Sequence, residues 1–372
     1  MSEWSSKFAG SIFDAHTHMG PFDTAENVLA LQDAAGIVKT NLVSIQEWDT
    51  GLGLPQSLYM KAKYPERFTV FAGPNHAAHV SGGRVTTPSL VEQVDQFVEV
   101  GCDGIKMIES KPFRRQQLEV PLTDAYFADY WARIEELDIP MLWHVADPEE
   151  FWTPELLPPW AQAKGWGYGP GDVRKEDLYA EVDAVLAAYP GLRVIFAHFY
   201  FLSADLPRMA RFLDEHPKVS FDLTPGIEML YNTSHDVDAS RDFFLKYQDR
   251  IVFGTDIWSF HTADEAIARA GIVYRWLESD DTFRVPTTVD VLLGVPEDGV
   301  IRGLALPDEV LEKIYGGTLR RYAGETARVL DAGKAADLCR EIGAIAQAMS
   351  GMADEDCVPL AVADAIEALP AS

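Results

Sequence analysis

The sequence predicts a closed (β/α)8 barrel with a helical C-terminal extension, and three observations carry that expectation. Short apolar or β-branched runs alternate with amphipathic stretches from the start of the chain to about residue 280, the order that builds a parallel sheet. Eight such units follow one another, where an open doubly wound sheet would show a reversal or an insertion. Polar residues, histidines above all, fall at the ends of the candidate strands, which in a barrel is the mouth.

Strands are expected at Ser11 to His16, Asn41 to Gln46, Phe68 to Pro74, Gly104 to Ile108, Pro140 to Val145, Arg193 to His198, Val219 to Leu223 and Ile251 to Thr255. Between them, Leu90 to Val100, Asp124 to Leu137, Leu178 to Ala188 and Asp205 to Glu215 repeat apolar residues every three or four positions, as helices covering a barrel do. Thr123-Asp124 and Ser203 read as helix-capping residues. Two parts depart from the repeat. The connection from Pro148 to Asp177 carries five prolines and the aromatics Phe151, Trp152, Trp160, Trp166 and Tyr168, a composition that suits an ordered lid or a loop packed outside the barrel. After about Asp281 a Pro/Gly-rich stretch leads to helical segments at Pro307 to Tyr315 and Thr326 to Met349. The organisation expected is a barrel over 1–324, with a lid-like insertion at 148–177, and a helical extension over 325–372.

The chain has 372 residues, 58 acidic against 31 basic, for a formal net charge of −27. Such a surface repels phosphate, which argues against nucleic acid or an anionic membrane as partner. Hydrophobic residues make up 47%, enough to build a core. The three cysteines form no CxxC pair, so neither a disulfide framework nor a thiolate zinc site is indicated. No apolar run approaches the ~20 residues of a membrane span, and the polar N-terminus lacks a signal-like core. The expectation is a cytoplasmic protein acting on a small molecule, with a homodimer left open.

His16 and His18 form an HxH pair closing the first strand, so that both side chains face the same way. His144 ends strand five, His198 ends strand six, and Asp256 follows strand eight. Imidazole and carboxylate together are the ligand set of zinc or a similar dication. Asp14 is read as an acceptor that holds an imidazole tautomer.

The motifs FDAHTHMG, MLWHV, VIFAHF and FGTD resemble the amidohydrolase superfamily, in its amidohydrolase-related branch, which includes metal-dependent decarboxylases similar to aminocarboxymuconate-semialdehyde decarboxylase. The segment Leu306 to Gly324 resembles the closing helix of that branch, so the likeness spans residues 11 to 324. The resemblance implies that His16, His18, His144 and Asp256 hold a single divalent metal, zinc or manganese, with His198 as active-site acid or base and Asp256 also as proton acceptor. It further implies that Lys106, in strand four, occupies the place where binuclear relatives carry a carbamylated lysine bridging two metals. A single metal is the reading preferred here, since Lys106 can equally serve as a plain ammonium that anchors a substrate carboxylate; the other reading is a residue ion-paired with Glu109 or Glu47.

Arg114 suits a carboxylate or phosphate of the substrate. His76 and Trp258 are placed for the mouth. The activity expected is hydrolysis of a small amide, ester or lactone through a metal-activated water, with non-oxidative decarboxylation of a small, aromatic or other, carboxylic acid as the alternative. A barrel that binds without turnover is the third reading.

Overall fold

In a computed structural model, which describes residues 5–286 and 299–370, eight parallel units wind into a barrel. The strands are β1 (Ile12–His18), β2 (Ile37–Ser44), β3 (Phe68–Ala72), β4 (Gly104–Ser110), β5 (Met141–Val145), β6 (Val194–Phe196), β7 (Val219–Asp222), β8 (Ile251–Val252) and β9 (Ile257–Trp258). Neighbours pair in chain order from β1 to β8, and β9 pairs back onto β1. Of the eighth strand expected at Ile251 to Thr255 only Ile251–Val252 forms strand, on β7, and the chain returns to strand beyond the expected end, at Ile257–Trp258 on β1. Part of the reason is the Asp14 carboxylate, which accepts from the Thr255 hydroxyl at 2.5 Å and from the Thr255 backbone N–H at 3.2 Å.

Inward residues on successive strands make a barrel core of Ala15, Val43, Phe71, Leu142, Ile195, Ala197 and Val252, the layered filling this fold requires. Leu319, from the helix Thr318–Ala323, joins that cluster and closes the barrel end opposite the mouth. The pattern on β1 is informative. Phe13 and Ala15 face the interior, yet so do His16 and His18, because the pairing with β2 shifts register between Asp14 and Thr17. A bulge there turns both imidazoles into the mouth, while Asp14 and Thr17 meet Gln32 of the helix Asn27–Ala34.

Helices Leu90–Val100, Ala125–Glu136, Lys175–Ala188, Leu206–Glu215 and Ala263–Glu278 cover the sheet. Asp124 caps its helix by accepting from the Tyr126 N–H at 2.8 Å. Ser203 does not cap: Asp205 does, accepting from the Arg208 N–H at 2.9 Å, while the Ser203 hydroxyl accepts from Asn232.

The expected segment Pro307 to Tyr315 is the helix Asp308–Glu312 running into a π-helical turn, Lys313–Gly317. The helix expected from Thr326 begins instead after Asp331, which caps it, and spans Ala332–Ser350. It pairs with Val358–Glu367, and Ile342 and Pro359 of this hairpin pack on Gly51, ahead of the helix Leu54–Lys63. Most of the Pro/Gly-rich stretch, residues 287–298, lies outside the described residues. Among the described residues no helix is long and apolar enough to cross a membrane.

Candidate metal centre

Three side chains converge at the mouth. One ligand atom each from His16, His18 and Asp256 lies within 4.8 Å of the other two, with His16 Nε2 and His18 Nε2 3.1 Å apart and His18 Nε2 3.3 Å from Asp256 Oδ1. Both tautomers are set from behind. His16 donates its Nδ1–H to Asp222 Oδ2 at 2.8 Å, and His18 donates its Nδ1–H to the Val43 carbonyl at 2.8 Å. Each Nε2 therefore presents a bare lone pair. Two lone pairs and a carboxylate oxygen aimed at one small volume form a donor set that fits a dication of the zinc or manganese type.

Electrostatics agree with that geometry. Burial lowers the pKa of His16 to about 4, with the Lys106 ammonium adding to the effect, and burial likewise depresses His18. Burial alone would raise Asp256, but His18, His16 and His198 around it hold its carboxyl well below the usual range. At neutral pH the rings are neutral and the acid ionised, the protonation state that metal binding needs.

His144, expected in the same ligand set, is not brought into this group. It donates Nε2–H to the Ala146 carbonyl at 3.0 Å, because Ala146 turns into the left-handed region (φ 61°) directly after β5 and brings its own carbonyl round. The His144 ring stands edge-on to His198, centroids 4.8 Å apart. His198 opens a run of four residues, His198 to Phe201, all with positive φ, a conformation that L residues adopt only against a steric penalty. Asp222 Oδ1 accepts the His198 backbone N–H at 2.7 Å, and the imidazole stacks on Phe201 5.1 Å away and lies 5.4 Å from His16. Burial lowers its pKa to about 4.

Lys106 is buried inside the barrel with Nζ 3.4 Å from His16 Nε2. Neither Glu109 nor Glu47 pairs with it: among the described residues no carboxylate oxygen comes within 4 Å of its ammonium. Burial lowers its pKa to about 8, which leaves it charged at neutral pH.

Of the other expected site residues, Arg114 and His76 are tied to partners outside the three-ligand group, while Trp258 and Asp14 adjoin it. Arg114 is held by Glu47 (3.1 Å) and by Gln117, and stacks 4.6 Å over Trp48. The helix Pro112–Leu118 begins directly after β4 and carries Arg114 away from the three-ligand group. His76 is buried between Glu109 (3.0 Å) and the Tyr126 hydroxyl (2.8 Å). Trp258 stacks on His18, centroids 4.5 Å apart. Asp14 accepts from the backbone N–H of His16, not from its imidazole.

A cavity of about 100 Å³ opens beside Asp256, His144 and His198. The 148–177 insertion walls it with Phe151, Trp160 and Trp166, which pack with Tyr168 as a small aromatic cluster. Sequence reading missed two residues here. Lys111 lines the cavity, ion-paired with Asp147 and 4.4 Å over the Trp166 ring. Asp222, which holds both His16 and the His198 backbone, has its carboxyl pushed up by burial but pulled down further by His16 and His198, to about 2. The available signal was an acid closing the buried run VSFD on strand seven.

The barrel closed by a split eighth strand, with histidines and an aspartate gathered at its mouth as a candidate metal site, is the arrangement of an amidohydrolase-type barrel. The amidohydrolase family model Amidohydro_2 matches residues 13–321, and the chain belongs to that family. No curated protein sequence matches it. Among solved structures it is similar to 2,6-dihydroxybenzoate decarboxylase from Rhizobium, at 15% identity and a TM-score of 0.51 over 84% of this chain and 98% of that one. It is also similar to an uncharacterized TIM-barrel protein of Bordetella bronchiseptica, at 13% identity and a TM-score of 0.50 over 84% and 98%. At such identities the likeness is one of fold.

Proposed function

We propose that this chain is a metal-dependent, non-oxidative decarboxylase of a small aromatic carboxylic acid. The observation that carries the reading is Lys106, a buried ammonium 3.4 Å from His16 Nε2 with no carboxylate of its own within reach among the described residues. A buried cation is expensive; Asp222, Asp256 and Glu109 offset part of that cost from beyond ion-pair distance, and a substrate carboxylate would supply a direct partner at the point where the three ligand atoms converge. The fold neighbour that decarboxylates 2,6-dihydroxybenzoate is in keeping with this reading.

His16, His18 and Asp256 would hold one divalent ion, which when bound supplies Lewis acidity toward the substrate's oxygens. Lys106 binds and orients the carboxylate. Phe151, Trp160, Trp166 and Phe201 offer flat apolar surface to an aromatic ring and keep water from it. As the bond from ring to carboxylate breaks, CO2 leaves and the electron pair stays on the ring carbon. His198, held at its backbone by Asp222 and neutral at rest, relays a proton from solvent to that carbon, so that the ring leaves as the protonated arene.

Hydrolysis through an activated water is the second reading, favoured by Asp256, which with its carboxyl held ionised can accept the water's proton. The test is a panel of aromatic acids, lactones, esters and amides presented to zinc- and manganese-loaded protein. Metal-dependent CO2 release that falls in Lys106→Met supports decarboxylation. Turnover of lactones, esters or amides without CO2 release from any acid overturns it.

A further inference from the structure

Lys111 lines the cavity together with His144, His198 and Asp256, and the chemistry above does not use it. It directly follows β4 and stands at the head of the helix Pro112–Leu118, with its side chain 7% exposed. The ammonium lies 4.4 Å over the Trp166 ring and gives one N–H to Asp147, whose other oxygen accepts the Tyr168 hydroxyl at 2.6 Å. An ammonium has three N–H donors, and among the described residues no second acceptor is bonded to this one. Its charge reaches the neighbouring wall: burial first, and Lys111 next, depress the pKa of His144. Two lysines therefore stand at two depths of the mouth. Lys106, within β4, reaches His16, while Lys111, just past the end of β4, lies under Trp166 of the insertion.

We propose that Lys111 is a specificity-determining residue, which donates a hydrogen bond to an acceptor atom carried on the substrate's ring away from the reacting carboxylate. The proposal rests on reading this cavity as the substrate site of the decarboxylase above. Asp147 already balances the Lys111 charge, so the pair offers donors but no net charge to be neutralised. It suits a neutral acceptor better than a second carboxylate, which would be buried without a counter-ion. Phe151, Trp160 and Phe201 make the rest of the wall apolar, and in such a wall a few placed polar groups decide how a ligand lies. A ring whose carboxylate meets Lys106 and whose acceptor meets Lys111 is fixed at both ends. An apolar substituent of the same shape would shut the Lys111 N–H groups away from water with no partner, at the cost of an unmade hydrogen bond.

The test is isothermal titration of the metal-loaded wild type, Lys111→Met and Lys111→Met/Asp147→Asn with benzoate, 3- and 4-cyanobenzoate, and 3- and 4-ethynylbenzoate. Cyano and ethynyl groups are both linear and of like size, and differ in the acceptor nitrogen. In the wild type, at one ring position or both, the cyano acid binds about tenfold tighter than its ethynyl counterpart, and the ratio falls to near one in Lys111→Met. The double variant leaves no unpaired acid behind, shows the same loss, and decides if the single variant does not fold. A lysine that only ties the insertion down through Asp147 and Trp166 would, when removed, weaken both acids of a pair alike and leave their ratio standing. A wild-type ratio near one at both positions, or a ratio preserved in the variants, overturns the inference alone. No binding by any of these acids overturns the substrate-site reading and the inference with it. A ratio lost with Lys111 in a protein that releases no CO2 from any acid upholds Lys111 and fails the decarboxylase.

Discussion

His16 Nε2 and His18 Nε2 face each other at 3.1 Å, and neither nitrogen carries a proton, because each ring spends its Nδ1–H on a buried acceptor behind it. With Asp256 Oδ1 3.3 Å from His18 Nε2, three electron-rich atoms converge, and only His16 Nε2 has a donor near it, the Lys106 ammonium at 3.4 Å. A cation shared among them removes the repulsion, which makes the site a source of stability as well as of chemistry.

Stripping the protein with a chelator is expected to lower its melting temperature, and zinc or manganese to restore it. At a free ion concentration of about a thousand times Kd the gain is about 4 kcal/mol. His16→Ala and His18→Ala each keep the fold but hold well under one ion per chain by mass spectrometry, and they lose the response to added metal. Normal occupancy in both variants would sink the site.

Lys106→Met is expected to lower kcat/KM for a carboxylate substrate roughly ten- to hundredfold, the equivalent of about 1.5–3 kcal/mol for a hydrogen bond to a charged group. Metal content stays at one ion per chain. If the wild type carries two ions and the variant one, a bridged binuclear centre replaces the present assignment.

Asp222→Asn removes the carboxylate that fixes the His16 tautomer. Metal affinity, measured by competition with a chromophoric chelator, is expected to fall about 10- to 100-fold, as it does when the partner of a ligating histidine is lost. An affinity within twofold of wild type would show that the Thr224 hydroxyl, 3.1 Å from the same Nδ1, suffices alone.

Glu228 gives a stability term of definite sign. Its pKa is 4.5 in an exposed chain and about 7 when folded, so between those values the folded state binds more protons than the unfolded one. Its contribution is complete below pH 4.5 and is lost as pH rises through about 7, by up to roughly 3 kcal/mol. Asp14, raised to about 6, slopes the same way, while His16 and His198, lowered to about 4, slope the other. The difference between wild type and Glu228→Gln in chemical unfolding isolates the term. Parallel pH profiles for the two proteins would refute it.

The fold was legible because barrel strands buried on both faces are written as apolar runs, and HxH on strand one marked the mouth. What escaped the sequence was local backbone geometry. Period-two alternation puts His16 and His18 on one side but cannot foresee that a bulge also keeps Phe13 and Ala15 inward. Nothing in MLWHVAD announces that Ala146 turns left-handed and claims the His144 Nε2–H. In KPFRR the arginines drew attention, but the helix that starts at Pro112 takes Arg114 to Glu47 and leaves Lys111 at the cavity. Asp222 lay unremarked inside the strand expected at Val219 to Leu223, since an acid that serves two histidines across the barrel has no local pattern.

The clasp between Asp14 and Thr255 joins residues 241 positions apart, and that separation has a consequence for how the chain is made. During synthesis β1 leaves the ribosome first and keeps one open edge until residues 251–258 follow, so closure is among the last long-range events of folding. His16 and His18 stand on one side of that seam and Asp256 on the other. The metal centre therefore cannot assemble on a nascent or half-wound chain, and an ion held by all three residues reports that the barrel has shut.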